Sequence, residues 1–425
     1  MTHHLILGAG PAGIIAAETL RKRAPQDRIT VVGDEREAPY SRMAIPYLLI
    51  GNVDEKGTWL RKSPTHLSDL QINLVQASAT AVDAAKRVVQ LDNGESLSFD
   101  TLLIATGSHP VKPPVSGIDS DGVHHCWTLN DARAIMALAK PGARVLQLGA
   151  GFIGCIIMEA LAARGVKLSV VEMGDRMVPR MMGPTAGGMI REWCEAKGVE
   201  VHTGTRLESI KPGKPLTATL SGGEQIEADL VISAAGVRPA IGFLEGSGIT
   251  CLQGVLTDEH MQTNVTGIYA AGDCAEAFDK ISGKTIVSAI QPNAAEQARV
   301  AALNMLGQRT SLPGVTQINV LDTLGLISAS FGNWEGEPGG EHVELTDTAA
   351  HRHLSLQFKD DVLVGCNCVG WTEHVGVMRG LVEGQVKLGT WKDALLADPT
   401  RLMDAYLASG QGQGQWSGAA DERRR

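Results

Sequence analysis

Two stretches of the chain repeat one pattern: a short apolar run, a glycine-rich turn, a helical segment and a second apolar run. The first has apolar residues at 5–7, a turn at 8–13, a helix to about Arg23 and a strand at 29–32. The second has a strand at 144–148, a turn at 149–154, a helix to about Arg164 and a strand at 167–171. Strands that alternate with helices in this way predict parallel sheets. Two copies about 140 residues apart therefore predict two dinucleotide-binding modules.

The rest of the chain suggests how these modules are arranged. A β-rich run, with strands at 75–83, 87–91 and 101–105, follows the first copy, and the second module closes near 233–239. The predicted fold class is α/β, with one Rossmann-like domain at 1–112 and 240–313 that contains a second at 113–239. An α+β domain at 314–405 has strands at 317–321, 354–358 and 362–366, and a Gly/Gln-rich segment at 406–425 predicts a disordered tail.

Composition and charge argue against several classes of function. A chain of 425 residues favours two or three domains. A net charge of -9 and 4% aromatic residues argue against nucleic acid as a partner. The sequence shows neither a secretory signal nor an apolar run long enough for membrane insertion. The seven cysteines are scattered and form no C-x-x-C pair, which favours free thiols in a reducing cytoplasm. The sequence also lacks four suitably placed cysteines that could hold an iron–sulfur cluster.

The first turn, Gly8-Ala9-Gly10-Pro11-Ala12-Gly13, follows a strand and opens a helix, as a dinucleotide fingerprint requires. Its first glycine permits the tight turn, the second lets the backbone approach a pyrophosphate, and the third lets the helix pack on the strand. The acid that binds the ribose usually ends the second strand. Gly33 occupies that position here, so either Asp34 or Glu35 must serve.

The second turn, Gly149-Ala150-Gly151-Phe152-Ile153-Gly154, is followed by Glu172, 18 residues past the last glycine. A carboxylate at that position accepts ribose hydroxyls and repels a 2′-phosphate. At about 4 Å and an effective dielectric near 20 the repulsion reaches about 4 kcal/mol. A third of that value favours NADH over NADPH roughly tenfold. Arg176 lies close by, but no arginine stands in the turn itself, so the sequence predicts NADH.

Three further motifs accompany the fingerprints. Residues 100–110 and 229–239 share an acid, an apolar strand, an Ala-Thr-Gly or Ala-Ala-Gly turn and a proline. Residues 267–273 form a strand that ends at Gly272-Asp273, where the carboxylate is placed to bind a ribitol hydroxyl. The two glycine-rich fingerprints and these three motifs, found together and in this order, are specific evidence for two dinucleotide-binding modules.

On these residues the chain, over about 3–405, resembles the pyridine nucleotide-disulfide oxidoreductase superfamily. The resemblance implies FAD and NAD(H) as cofactors, hydride transfer between them without a catalytic side chain, FAD in the discontinuous first domain and NAD(H) in the inserted one. In relatives the C-terminal domain often forms an interface between subunits, so a homo- or hetero-oligomer is expected. The residues implied in cofactor contact are Gly8, Gly10, Pro11, Ala12, Gly13, Asp34, Glu35, Arg42, Ala79, Ala105, Thr106, Gly107, Gly149, Gly151, Phe152, Ile153, Gly154, Glu172, Gly236, Gly272 and Asp273.

Two positions depart from the family pattern. In the loop at 39–49, which is similar to the segment under the flavin in related reductases, Met43 stands where disulfide-active members carry a redox cysteine. Methionine forms neither a thiolate nor a disulfide. Ile156 stands where many members carry a glutamate near the nicotinamide, and Glu159 lies one turn further on.

Without a thiol, electrons must leave the flavin directly, and the expected partner is an iron–sulfur protein or subunit. The loop and the C-terminal domain are also similar to the NAD-reducing flavoprotein subunit of phenylglyoxylate dehydrogenase-type 2-oxoacid complexes. One alternative is an NADH oxidase or peroxidase that reduces O₂ or peroxide, and another is a non-catalytic flavoprotein whose redox state gates an interaction. No metal site is predicted, and Cys366-Asn367-Cys368 is interpreted as an ordinary half-buried strand.

Overall fold

The computed structural model describes residues 1–412, and its elements are labelled here in chain order. The helices are α1 Pro11–Arg23, α2 Ile45–Ile50, α3 His66–Asp69, α4 Leu129–Leu138, α5 Phe152–Ala163, α6 Pro184–Ala196, α7 Gln291–Met305, α8 Val375–Gly384, α9 Trp391–Ala397 and α10 Leu402–Gly412. Short 3-10 turns lie at Arg42–Ala44, Glu55–Thr58, Gly242–Leu244 and Pro399–Arg401.

The strands are mostly three to eight residues long. They are β1 His3–Leu7, β2 Arg28–Gly33, β3 Asn73–Gln76, β4 Ala79–Asp83, β5 Val88–Leu91, β6 Ser96–Ser98, β7 Thr101–Ile104, β8 Ser108–Pro110, β9 Val123–His124, β10 Arg144–Leu148, β11 Lys167–Val171, β12 Glu200–His202, β13 Leu207–Lys211, β14 Leu216–Leu220, β15 Gln225–Ala228, β16 Leu230–Ser233, β17 Val237–Pro239, β18 Val255–Leu256, β19 Ile268–Ala270, β20 Ala275–Phe278, β21 Thr285–Val287, β22 Ile318–Thr323, β23 Leu326–Gly332, β24 Glu341–Asp347, β25 Arg352–Lys359 and β26 Val362–Val369.

The chain divides into two units. Unit 1 comprises Met1–Pro113, His124–Ala137 and Ala235–Val315, and unit 2 comprises Pro114–Val123, Leu138–Ala234 and the chain from Thr316 onward. The domain boundaries drawn from the sequence stay predictions. The segment His124–Ala137 belongs to unit 1, although the sequence placed it in the inserted domain.

Unit 1 is built on a parallel sheet in the order β19-β7-β1-β2-β3. Its central strands are apolar on both faces, and Leu5, Ile6, Leu102 and Leu103 are fully buried. Strands buried on both sides read as continuous hydrophobic runs, which is why the sequence pattern located them. The strand order reverses between β1 and β7, the position at which open α/β sheets bind ligands beyond the carboxyl ends of their strands.

Unit 2 contains a second parallel sheet, in which β12, β11, β10 and β16 lie side by side in that order. Its C-terminal part is an antiparallel sheet in the order β22-β23-β26-β25-β24. The predicted α/β class with two Rossmann-like sheets is confirmed. Among residues 1–412, no helix combines the length and the apolar composition needed to cross a bilayer.

Two expectations for the C-terminal region were wrong in detail. Helix α10 continues to Gly412, so residues 406–412 of the predicted tail are helical, and residues 413–425 lie outside the described residues. On β26, Cys366, Asn367 and Cys368 are all buried, so the strand is not half-buried. Asn367 is covered because its side-chain amide faces the backbone carbonyl of Met181, at 3.4 Å.

Candidate functional site

The first glycine-rich turn packs tightly against the strands that flank it. Gly8 has a φ of +111°, and a Cβ at this position would overlap the carbonyl oxygen of Ala105 at the end of β7. A Cβ at Gly13 would overlap the carbonyl oxygen of Gly8. Both positions therefore require glycine, for the turn and for the approach of α1 to β1.

The opposite side of the same turn is open. A Cβ at Gly10 would meet no described atom within 4 Å. Helix α1 starts at Pro11 without a side-chain cap, so the N–H groups of Ala12 and Gly13 have no capping partner. Unpaired donors at a helix N-terminus attract anions. The turn therefore fits the pyrophosphate of a dinucleotide.

The end of β2 distinguishes the two acids that the sequence left open. A side chain at Gly33 would place its Cβ 2.8 Å from the Cβ of Ala9, which explains why no acid ends this strand. The carboxylate of Glu35 accepts hydrogen bonds from the Tyr40 hydroxyl at 2.6 Å and from Arg42 at 2.8 Å. Asp34 is exposed and has no such partner within residues 1–412. Asp34 is therefore the acid that we propose for the FAD ribose.

The carboxyl ends of β7 and β19 bring Ser108 and Asp273 together. The Ser108 hydroxyl donates to Asp273 at 3.0 Å, and the backbone N–H of Gly272 donates to the buried side chain of Gln297 at 2.8 Å. Burial raises the pKa of the Asp273 carboxyl, and the hydrogen bond from Ser108 and the positive charge of Arg42 oppose that rise. Asp273 is thus held in place as a hydrogen-bonding group.

The two Ala-Thr/Ala-Gly motifs lie against each other, which the sequence did not reveal. Strand β8 pairs with β17 in antiparallel register. Beside this pair the Thr106 hydroxyl donates to the carbonyl of Ala240 at 2.8 Å, the N–H of Ala240 donates to Gly107 at 2.9 Å, and Gly236 accepts from Val111 at 2.8 Å. Ala79 lies apart from these contacts. It begins β4, three residues beyond the end of β3.

Arg42 makes several contacts at once. Its guanidinium donates to the Trp127 carbonyl at 2.7 Å and to the Tyr40 hydroxyl at 3.2 Å, in addition to its bond with Glu35. It also lies 5.2 Å from the ring centre of Trp127 and 5.7 Å from that of Tyr40, within the range of cation–π attraction. Trp127 is 85 residues away in sequence, so no local pattern could have identified it.

The second glycine-rich turn repeats the first in unit 2. Gly149 has a φ of +95°, a Cβ at Gly154 would overlap the carbonyl of Gly149, and a Cβ at Gly151 would meet no described atom within 4 Å. Helix α5 begins with Phe152 and Ile153 and has no side-chain cap. The same open, donor-rich turn therefore fits a second dinucleotide.

Glu172 lies beside this turn. Its two carboxylate oxygens accept hydrogen bonds from the N–H of Ala150 and the N–H of Gly174, each at 2.7 Å. Arg176 donates to the Met182 carbonyl at 2.8 Å and pairs with Asp175 at 2.7 Å. Since Arg176 is already bound, the local charge opposes a 2′-phosphate, in keeping with NADH.

The two residues on α5 that were compared with the family glutamate have other surroundings. Ile156 is half-buried. The Glu159 carboxylate accepts a hydrogen bond from the N–H of Leu324 at 2.6 Å, at the turn between β22 and β23. Glu159 thus anchors a hairpin of unit 2.

The loop at 39–49 contains no cysteine. Met43 lies in the 3-10 turn Arg42–Ala44 with 52% of its surface exposed. All seven cysteines are free thiols, and burial raises the pKa of each, to about 12 for Cys126, Cys194 and Cys368. A protonated, buried thiol is a poor nucleophile.

One group of possible metal ligands occurs within the described residues, at Glu200, His202 and Glu224. The two imidazole nitrogens face different carboxylates, Nε2 towards Glu200 at 3.3 Å and Nδ1 towards Glu224 at 3.8 Å. Both carboxylates are exposed, and exposed acidic groups commonly lie together without an ion.

Comparison with known proteins gives consistent results. Residues 2–302 match the family described as pyridine nucleotide-disulphide oxidoreductase. The chain is 30% identical over 402 residues to the NADH-dependent phenylglyoxylate dehydrogenase subunit epsilon of Aromatoleum evansii, covering 94% of this chain and 95% of that protein. It is 32% identical over 400 residues to an NADH oxidase of Methanocaldococcus jannaschii, covering 86% and 87%.

A ferredoxin–NAD(+) reductase component of the biphenyl dioxygenase system of Paraburkholderia xenovorans is 29% identical over 387 residues, covering 90% of this chain and 93% of that protein. Among solved structures, the putidaredoxin reductase–putidaredoxin complex matches with a TM-score of 0.88 at 22% identity, covering 96% of this chain and 99% of the matched one. That structure supports the fold.

Proposed function

We propose, from the premise that the chain belongs to the pyridine nucleotide-disulphide oxidoreductase family, that it passes electrons between NAD(H) and an iron–sulfur protein or subunit. The predictions of an oxidoreductase that uses FAD and NAD(H) are confirmed by that membership. The partner and the direction of electron flow form the proposal.

The residues of unit 1 that we assign to FAD are those around the first turn. The N–H groups that open α1 bind the pyrophosphate, Asp34 binds the ribose, and Asp273 binds a polyol hydroxyl. In unit 2 the N–H groups that open α5 bind the pyrophosphate of NAD(H), and Glu172 binds its ribose. Bound FAD supplies the ability to exchange a hydride with NAD(H) and single electrons with another acceptor.

The observation that carries the proposal is the lack of a usable thiol. Met43 replaces the sulfur nucleophile of disulfide-active relatives, and the pKa of every cysteine is raised. A disulfide or sulfenic acid relay requires a thiolate. Electrons must therefore leave FAD directly for an external acceptor, and we propose that this acceptor is an iron–sulfur protein.

We further propose that the protein is the NAD-reducing subunit of a 2-oxoacid dehydrogenase complex. The similarity to the phenylglyoxylate dehydrogenase subunit extends over nearly the whole of both chains. It therefore includes the C-terminal sheet as well as the two glycine-rich turns assigned to the dinucleotides. In this setting iron–sulfur clusters of other subunits deliver electrons, and NAD⁺ is reduced.

The similarity to an NADH oxidase favours a second candidate, reduction of O₂ or peroxide. The missing thiol argues against the peroxidase form, since that chemistry commonly uses a sulfenic acid. The third candidate is a non-catalytic flavoprotein whose redox state controls an interaction with another molecule.

Steady-state assays on the FAD-loaded protein separate these candidates. We expect NADH to bleach the flavin anaerobically, and expect fast reduction of a viologen or a ferredoxin with slow O₂ uptake. Consumption of O₂ or peroxide at a rate equal to viologen reduction would identify an oxidase. A flavin that NADH does not bleach would identify the non-catalytic candidate.

The complex requires a separate experiment. We expect the untagged protein, purified from its native cells, to co-elute with iron–sulfur subunits and with NAD⁺ reduction that depends on a 2-oxoacid. Elution as a single polypeptide with full activity towards ferredoxin would contradict the complex and leave the electron-transfer proposal standing.

A further inference from the structure

Ala150, in the second glycine-rich turn, is held through both of its backbone groups. Its N–H donates to the Glu172 carboxylate at 2.7 Å, and its carbonyl accepts from the backbone N–H of Val178 at 2.8 Å. The Cys155 thiol, a weak donor, lies 3.7 Å from the same carbonyl oxygen. The bond from Val178 therefore fixes the orientation of the peptide that joins Ala150 to Gly151.

Val178 has an unusual backbone conformation. Its φ is +50°, in the left-handed region that a β-branched residue rarely adopts. Its side chain is buried, and its carbonyl accepts from the N–H groups of Met181 and Met182, each at 3.0 Å. The Arg176 guanidinium closes the same loop by donating to the Met182 carbonyl at 2.8 Å. Strain of this kind persists only where the surroundings hold a residue firmly, and it is concentrated at ligand-binding sites.

The bond to Val178 also decides which way a neighbouring donor points. The peptide between Ala150 and Gly151 is trans, and in a trans peptide the carbonyl oxygen and the following N–H point in opposite directions. The Ala150 carbonyl points to Val178, so the Gly151 N–H points away from it. That N–H has no acceptor within residues 1–412, and a Cβ at Gly151 would meet no described atom within 4 Å. A further free N–H beside the unpaired donors that open α5 adds to an anion-binding concavity.

We propose that Val178 is a positioning residue for NAD(H), which holds the peptide between Ala150 and Gly151 so that the Gly151 N–H donates to the pyrophosphate. The inference rests on the proposed function, in which this turn binds NAD(H). If the peptide turned over, the Ala150 carbonyl would face the phosphates, and its partial negative charge would repel them. The loop after β11 thus supports the coenzyme twice, through the Glu172 carboxylate and through the Val178 N–H.

The test removes a single N–H group. Nonsense suppression replaces the valine at position 178 by its α-hydroxy analogue, so that an ester oxygen takes the place of the N–H and the side chain stays. The ligands are NAD⁺ and ADP-ribose, which keeps the pyrophosphate and lacks the nicotinamide. We expect titration calorimetry on the FAD-loaded protein to show that both dissociation constants rise at least tenfold and by the same factor. The KM for NADH should rise without a matching fall in kcat.

The same replacement at Val199 is the matched control. The Val199 N–H donates to the Cys194 carbonyl at 3.1 Å, just after α6, so the ester removes a comparable backbone bond from unit 2. We expect both dissociation constants to stay at their wild-type values. FAD content and thermal midpoint are measured for both ester variants.

A second measurement needs no variant. We expect hydrogen exchange of the Gly151 amide in the wild-type protein to slow at least tenfold when ADP-ribose binds, because the N–H gains an acceptor. Unchanged exchange in the bound protein would overturn the inference. This measurement decides the question if the ester at position 178 prevents folding.

The outcomes keep the inference and the proposed function apart. A wild-type protein that binds neither NAD⁺ nor ADP-ribose would contradict the proposed function. A wild-type protein that binds both, together with a folded ester variant at position 178 that binds them equally well, would overturn the inference alone. A loss confined to NAD⁺ would also overturn it, since the defect would then lie at the nicotinamide.

Discussion

Three glutamates near the glycine-rich turns illustrate what individual residues contribute. All three are candidates from the sequence, but the structure gives each a different partner. Glu35 binds Arg42 and Tyr40, and Glu159 binds the N–H of Leu324. Glu172 binds the N–H of Ala150, in the second turn, and the N–H of Gly174, just after β11. Glu172 alone of the three lies beside an open dinucleotide turn.

This placement predicts the effect of Glu172→Gln. The amide keeps the size of the side chain and loses the charge that repels a 2′-phosphate. We expect the ratio of kcat/KM for NADH to that for NADPH to fall about tenfold, a third of the roughly 4 kcal/mol available at about 4 Å.

Glu200→Gln serves as the control, because Glu200 is an exposed acid on the neighbouring strand β12. Its ratio should equal that of the wild type. An unchanged ratio in Glu172→Gln would show that another residue selects the coenzyme.

A buried histidine predicts a pH effect on stability. His353 on β25 is 1% exposed, contacts the Thr346 hydroxyl at 2.8 Å, and has a pKa that burial lowers. Below the ordinary histidine pKa the unfolded chain takes up a proton that the folded chain resists. Stability is therefore lost as pH falls through that region towards the lowered pKa.

We expect the thermal midpoint of His353→Gln to fall less than that of the wild type between pH 7.5 and pH 5.5. His342→Gln, which changes an exposed residue on the adjacent strand β24, should fall as the wild type does. Parallel curves for His353→Gln and the wild type would contradict the assignment.

At the scale of elements, changes in the two glycine-rich turns should weaken the binding of FAD and of NADH separately. Alanine at Gly10 or at Gly151 meets no described atom within 4 Å, so both variants should fold, yet its methyl group occupies the space assigned to a pyrophosphate. We expect Gly10→Ala to lose FAD, with at least tenfold weaker binding. We expect Gly151→Ala to keep FAD and to raise the KM for NADH at least tenfold.

Gly188→Ala provides the control within α6, where the added methyl group also meets nothing within 4 Å. It should leave both cofactors unaffected and add up to about 1 kcal/mol of stability, because alanine favours helix over glycine. Full FAD content in Gly10→Ala would place the pyrophosphate elsewhere.

The elements that could be predicted from the sequence are those with a local cause. Strands β10 and β11 have their predicted limits because each is a largely buried apolar run, followed by Gly149 after β10 and by the charged Glu172 after β11. Both turns were identified because glycine is the residue that tolerates such close backbone contacts. The contact between Arg42 and Trp127 and the burial of Asn367 were missed, since each depends on residues distant in sequence.

For the molecule as a whole, the seven thiols and the two glycine-rich turns together indicate which groups can accept electrons. Every cysteine has a raised pKa, and Met43 replaces the loop sulfur of disulfide-active relatives. We therefore expect the protein to store electrons on its flavin alone. A relay through a disulfide would double that capacity.

An anaerobic titration of the FAD-loaded protein with NADH tests this claim most directly. We predict that one NADH per FAD completes the reduction, because a flavin takes up two electrons, and that the number of titratable thiols stays at seven before and after. Uptake of two NADH per FAD, together with two newly formed thiols, would contradict the account.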